Sequence, residues 1–279
     1  MHRVFAVAIF LSCFAISATA QTQSPPGTTP QAGAPAAKPA VKKAAPKART
    51  SARPAAPPES GPCRLGVISA LGDRFAVQKF GLTFFETEES EVPIDWGLDD
   101  LVVARVRAAS GGDPTVRRIA YPKAAFEPFY HPTSRFLPDP REGLPAIVRS
   151  ITPNAGCERY LVVTRFKGQL PGTNLMLDGI GTYNRGLGTL IRHSHLFANI
   201  AVSVLDGTTY ERIQRPFAGF GARLSQGLRL TEDPLAQLDN ALFPEPAAAA
   251  ASSMALRERT RALVTATLDQ ILPSYLKAD

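Results

Sequence analysis

Two apolar runs, 65–71 and 75–84, flank the dipeptide Gly72-Asp73. Their β-branched and aromatic content predicts strands, and the Gly-Asp pair supplies the positive backbone angle of a tight turn, so together they read as a hairpin. Over 95–109 the residues Leu98, Leu101, Val102 and Val106 recur at helical spacing, with Asp95, Asp99 and Asp100 near the positive end of the dipole. That pattern predicts a helix. A third strand is expected over 116–121, after the turn cluster Gly111-Gly112-Asp113-Pro114. Asp139-Pro140-Arg141-Glu142 has the form of a capping box with proline at the first helical position, leading a helix towards Ile151 through the unfavourable Gly143 and Pro145.

Strands follow in series. Residues 160–166 form a short apolar run of the kind found inside sheets, 175–183 is another, and 196–205 alternates before Asp206-Gly207 turns the chain into 208–213. Asp233-Pro234 should open a short helix through Phe243 with Leu235, Leu238 and Leu242 on one face. The last helix carries Leu256, Leu263, Val264, Leu268, Ile271 and Tyr275 as an apolar stripe, the signature of core packing. Strands alternating with helices early and forming hairpins later predict an α/β fold with α+β character: a mixed β-sheet with helices packed on it.

The N-terminus has a different grammar. His2 and Arg3 precede an almost wholly apolar run of thirteen residues, 4–16, and Ala18-Thr19-Ala20 is a small-x-small site, so a signal peptide cut after Ala20 is expected. Thirteen residues fall short of the roughly twenty needed to span a bilayer, and Cys13 stands too early in the run for lipidation. The expected location is periplasmic or secreted, with no transmembrane span left after cleavage. Residues 21–60 are mostly Ala, Pro, Thr, Ser and Gln and lack side chains large enough to offset the entropy of ordering, which predicts a disordered linker. The remaining 219 residues, 61–279, suit a single globular domain.

Charge changes the picture through its distribution. Of the net +7, the signal holds one unit and the linker five, from Lys38, Lys42, Lys43, Lys47, Arg49 and Arg53 against Glu59, which leaves the folded part at +1. A nearly neutral domain gives no support to nucleic-acid binding. The basic linker suits weak contact with an anionic surface, or simply keeps an Ala/Pro tract solvated. Outside the signal only Cys63 and Cys157 remain, each just ahead of a strand-like run. In an oxidising compartment such a pair is expected to form a disulfide, provided the two strands lie parallel and adjacent.

No catalytic or cofactor motif is specific. His193 and His195, two apart on a strand, face the same way and could grip one metal with His131 or Asp178 as a third ligand. They are the candidates for the alternative reading, a periplasmic hydrolase or metal-dependent enzyme, although Arg192 beside them disfavours a cation. Ser69 lacks the Gly-x-Ser-x-Gly elbow. Asp99 and Asp100 diverge on their helix, and the glycines at 179, 181, 186 and 188 come without the lysine of a phosphate loop. No cofactor is expected.

The segment 121–140 holds Tyr121, Phe126, Phe129, Tyr130 and Phe136 among five prolines. Rings on a preorganised loop make good interface anchors, and these five are the partner-binding candidates; the competing expectation is that they fold down to cap the core. A signal, an Ala/Pro-rich spacer and a small α/β domain together are similar in plan to envelope proteins that activate peptidoglycan synthases or accompany transport machines, a likeness of architecture alone. The expectation is therefore a non-enzymatic envelope protein that binds an envelope protein or cell-wall polymer through its folded domain.

Overall fold

The computed structural model describes residues 61–81, 87–131, 143–170, 173–187, 191–214 and 235–276. Eleven strands are described: β1 (Cys63–Ala70), β2 (Arg74–Phe80), β3 (Glu88–Pro93), β4 (Val116–Arg118), β5 (Cys157–Arg165), β6 (Lys167–Gln169), β7 (Met176–Asp178), β8 (Ile180–Leu187), β9 (Ile191–Ala198), β10 (Ile200–Asp206) and β11 (Gln237–Leu238). The α-helices are α1 (Leu98–Ala109), α2 (Glu127–Tyr130), α3 (Leu144–Ile151) and α4 (Met254–Leu276). The expected combination of mixed pairing and packed helices is present, but the strands divide among three sheets: β10-β5-β1-β4, β11-β9-β8-β2-β3, and the ribbon β6-β7. In the four-stranded sheet β1 runs parallel to β4 and β5 while β10 is antiparallel; in the five-stranded sheet only β2 and β8 are parallel.

The four-stranded sheet is covered on both faces. Ile68, Ala70, Tyr160 and Val162 pack against Phe126 and against Leu144 and Val148 of α3. Leu65, Val67, Leu161 and Val163 face the larger cluster built with α1 and α4. The inner face of the five-stranded sheet, including Phe75, Val77, Ile180 and Leu196, joins that same cluster, and its outer face, with Ala76, Phe80, Tyr183 and Phe197, is roofed by Leu170 and Leu177 beside the ribbon strands. Helix α4 contributes Leu256, Leu263, Val264, Leu268 and Leu272; at roughly 1.5 to 3 kcal/mol per buried side chain, its docking is a main source of stability.

Three long chain segments each bend once and change sheet at the bend. Residue Phe166 separates β5 from β6, Gly179 separates β7 from β8, and Asn199 separates β9 from β10. At the meeting point the Phe166 N–H donates to the Asn199 carbonyl (3.0 Å), the Asn199 N–H to the Gly179 carbonyl (2.8 Å), and the Gly179 N–H to the Phe166 carbonyl (3.1 Å). These bonds close a ring. Gly179 has φ +65 and a Cβ there would meet Arg165 Cδ at 2.9 Å, so glycine is needed twice over. Asn199 is buried and its side-chain amide donates to the Leu177 carbonyl at 2.7 Å.

Several expectations change. The segments 65–71 and 75–84 do not pair: Gly72 turns the chain with φ +75, but β1 stays in one sheet while β2, which ends at Phe80, enters the other. The runs 175–183 and 196–205 are each two strands, broken at Gly179 and Asn199. The strand expected over 116–121 shortens to Val116–Arg118, and β3, an exposed glutamate-rich edge, stands where none was expected. The arm 208–213 makes a single bridge, Leu205 to Arg212. In place of a helix over 233–243 the described residues hold β11 and the 3-10 turn Asn240–Leu242, because Leu196 draws the Ala236 carbonyl into the sheet. Helix α3 begins at Leu144, and the capping box at 139–142 lies outside the described residues.

Cys63 and Cys157 are opposed in the parallel ladder of β1 and β5 and are joined by a disulfide, with a Cα separation of 4.5 Å and a sequence separation of 94. Both are buried. Closing a loop of that length stabilises by about 4 to 5 kcal/mol on the chain-entropy model. The double variant Cys63→Ala/Cys157→Ala is expected to lose about that much in urea unfolding; a midpoint equal to that of the oxidised wild type would contradict it.

Candidate functional site

In sheets with parallel strands, ligand and partner sites gather beyond the carboxyl ends. Here β1 ends at Ala70 and β5 at Arg165, and the chain supplies a dense set of polar and aromatic groups around those ends. The Ile119 N–H donates to the Val67 carbonyl, and the Tyr121 hydroxyl then serves the next outward carbonyl of β1, that of Ser69, at 2.5 Å. Tyr130 does the equivalent on the other side: its hydroxyl donates to the Ala70 carbonyl and accepts from the Arg165 N–H at 3.4 Å. It bridges β1 to β5 where the two strands part. Burial pushes both phenols well above their ordinary range.

The first turn of α1 contributes Asp99. Its carboxylate accepts from the Ser69 hydroxyl at 2.6 Å, and the nearby Leu71 and Gly72 N–H groups also favour its charged form, so it stands against the crossing from β1 to β2. Desolvation nonetheless raises its pKa, because burial outweighs these three donors. Arg165 is buried, lies over the Tyr130 ring at 4.5 Å and approaches Glu91 at 3.8 Å. Around the rim stand exposed pairs, Lys123 with Asp73, Arg118 with Asp100, and Arg74 with Glu91. Such pairs contribute little to stability.

The aromatic candidates divide. Phe126 is core, 2% exposed, with Tyr121 at 5.0 Å, Phe129 at 6.3 Å and Tyr130 at 6.5 Å between ring centroids. It cannot serve as an exposed anchor. Tyr121, Phe129 and Tyr130 are partly buried against the same cluster, and Phe136 lies outside the described residues. The prolines of this segment do not keep it free of structure: Pro128 sits in the first turn of α2, where a missing N–H costs nothing.

His193 and His195 share the outer face of β9 as expected, His193 exposed and His195 half-buried against Tyr183, with ring centroids 5.2 Å apart and 15° between planes. Among the described residues no third His, Cys, Asp or Glu joins them. His131 approaches Glu127 at 3.7 Å and Asp178 approaches Lys167 at 3.4 Å. Gly179 and Gly181 serve the bend and the close approach of the Ala76 carbonyl, not a phosphate. Sequence reasoning missed the contact of Ser69 with Asp99, which joins residues 30 apart, and missed Arg165 altogether.

Tyr130→Phe leaves the Ala70 carbonyl and the Arg165 N–H without their bridge and is expected to cost about 1 to 3 kcal/mol in urea unfolding; an unchanged midpoint would contradict the bridge. Because the folded Asp99 binds its proton more readily than the unfolded one, its contribution is full at low pH and is lost as pH rises through its raised pKa. Stability of the wild type relative to Asp99→Asn is expected to fall as pH rises above the ordinary carboxylate range of about 4, and a flat difference would show the carboxyl to be unperturbed. No family model, curated protein or solved structure matches this chain.

Proposed function

We propose that this chain is an exported envelope protein without enzymatic activity, cut after Ala20, whose domain 61–279 binds an envelope protein or cell-wall polymer while residues 21–60 act as its spacer. The observation that carries the export half is the buried Cys63–Cys157 disulfide, which fits an oxidising compartment. The binding half rests on the rim at the carboxyl ends of β1 and β5. There the Ser69 hydroxyl, the Asp99 carboxylate and both tyrosine hydroxyls bond inward to the protein itself. Such satisfied groups suit a rigid platform better than a reaction centre, which needs a nucleophile and base poised for substrate. The platform presents the partly buried ring of Phe129 beside the exposed Glu127 and Pro128 of α2, an arrangement of aromatic anchor and polar rim that favours docking.

A photocrosslinker placed at Pro128 in cells is expected to yield a covalent adduct with a protein or wall polymer of the envelope fraction, and one at the exposed Ala262 of α4 is expected to yield none. Phe129→Ala should abolish the Pro128 adduct. Equal labelling from both positions would remove the docking reading, and recovery of the chain from the cytosol with Met1 attached would remove export.

A further inference from the structure

The outer face of the five-stranded sheet carries an unbroken polar row across all five strands. The ladder sets Glu89 of β3 opposite Gln78 of β2, Gln78 opposite Tyr183 of β8, Tyr183 opposite His195 of β9, and His195 opposite Gln237 of β11. Gln78 is itself buried and spends its amide N–H groups on Glu89 and the Met176 carbonyl. At the other end of the row, His195 is clamped flat against Tyr183, and its Nδ1 is buried with no hydrogen-bond partner among the described residues.

The strand beyond His195 is the shortest of the described strands. β11 has two residues; Leu238 and the preceding Ala236 are buried, and its hydrogen bonds to β9 include the ladder pairs Gln237–His195 and Leu238–Ser194, the Leu196 N–H to Ala236 carbonyl bond (2.7 Å), and Asn240, which receives the Ser194 hydroxyl and donates to the Arg192 carbonyl. Arg259 of α4 adds one bond to the Gln237 carbonyl. Nearly all of these bonds end on residues 192–196, the stretch whose centre is His195.

We propose that protonation of His195 releases β11 from β9, making this sheet edge an acid-opened strap. An imidazolium donates from both nitrogens, and the enclosed Nδ1 has no acceptor among the described residues. The charged and titratable neighbours give no relief: His193 shares the face of β9, Arg185 stands opposite His193 on β8, Tyr183 is a buried phenol, Arg259 reaches Gln237 from α4, and Glu89 is three strands away at the far end of the row. Burial, and then the charge of His193, hold the His195 imidazole below its ordinary range. The closed edge therefore binds the proton less readily than the open edge. Its stability is full above the ordinary histidine range near about 6.5 and is lost as pH falls through the depressed value.

Hydrogen exchange of the full chain, corrected for intrinsic rates, tests this at the Leu196 amide, with Ile68 and Val162 in the other sheet as controls. Between pH 7.5 and pH 5 the Leu196 amide is expected to lose protection severalfold while the controls keep theirs, the loss reporting the ratio of proton affinities of the open and closed edges. His195→Gln should abolish the change and His193→Gln should retain it. Equal protection at both pH values, parallel loss at the controls, or persistence of the change in His195→Gln would overturn the proposal. A ring-carbon NMR titration of wild-type His195 supplies the check that needs no variant: its midpoint must lie below the ordinary histidine value of about 6.5, and a midpoint at or above that value sinks the strap.

Discussion

Three backbone hydrogen bonds, from Phe166 to Asn199, from Asn199 to Gly179 and from Gly179 to Phe166, are the constraint around which the domain is arranged. Each of three long segments arrives at this ring from one sheet and departs into another, so every pair of sheets shares one chain. A buried backbone group without a partner costs as much as a lost hydrogen bond, and a bend in mid-strand exposes such groups. The ring answers all three bends at once. It also positions the polar rim, because Arg165 immediately precedes Phe166. Its aliphatic stem occupies the space left by the missing side chain of Gly179, and its guanidinium is delivered over Tyr130.

The disulfide acts at the opposite end of the same strands. Cys63 and Cys157 open β1 and β5, whereas Tyr130 bridges the two where they separate. Between these ties the strands are buried on both faces, the usual state of parallel strands flanked by helices. The carboxyl ends of β1 and β5 thus form a stiff edge on which Asp99, Tyr121 and Tyr130 are fixed. Only the short turn of α2 projects Phe129 from that edge. A platform of this kind suits recognition by shape, and the five-stranded sheet with its two-residue edge strand is the place where the fold can yield.

What the sequence made legible follows from how local the signal is. Helices α1 and α4 appear as apolar stripes because their burial is one-sided, and the pairing of Cys63 with Cys157 follows once β1 and β5 are taken as parallel neighbours. The bends at Gly179 and Asn199 leave no comparable trace, since an alternating run continues unbroken when its strand changes sheet. Gly72 marks a turn correctly through its positive φ, yet a local angle says nothing about whether β1 and β2 pair. Strand β3 escapes because an exposed edge has no apolar alternation to reveal it. At the rim, proline-rich spacing marks out the aromatic segment but not its direction: Phe126 is drawn into the core by Leu144 and Val148, and Asp99 meets Ser69 only because the helix folds back on the sheet.

The central claim is that one closed ring of backbone bonds joins the three sheets, and scalar couplings across hydrogen bonds report it directly. In a deuterated, isotope-labelled sample of the full chain, the amide nitrogens of Phe166, Asn199 and Gly179 are expected to couple to the carbonyl carbons of Asn199, Gly179 and Phe166 respectively. All three couplings together would establish the junction. Coupling of any of these amides to a different carbonyl, or rapid solvent exchange at the three positions while β1 and β5 remain protected, would contradict it.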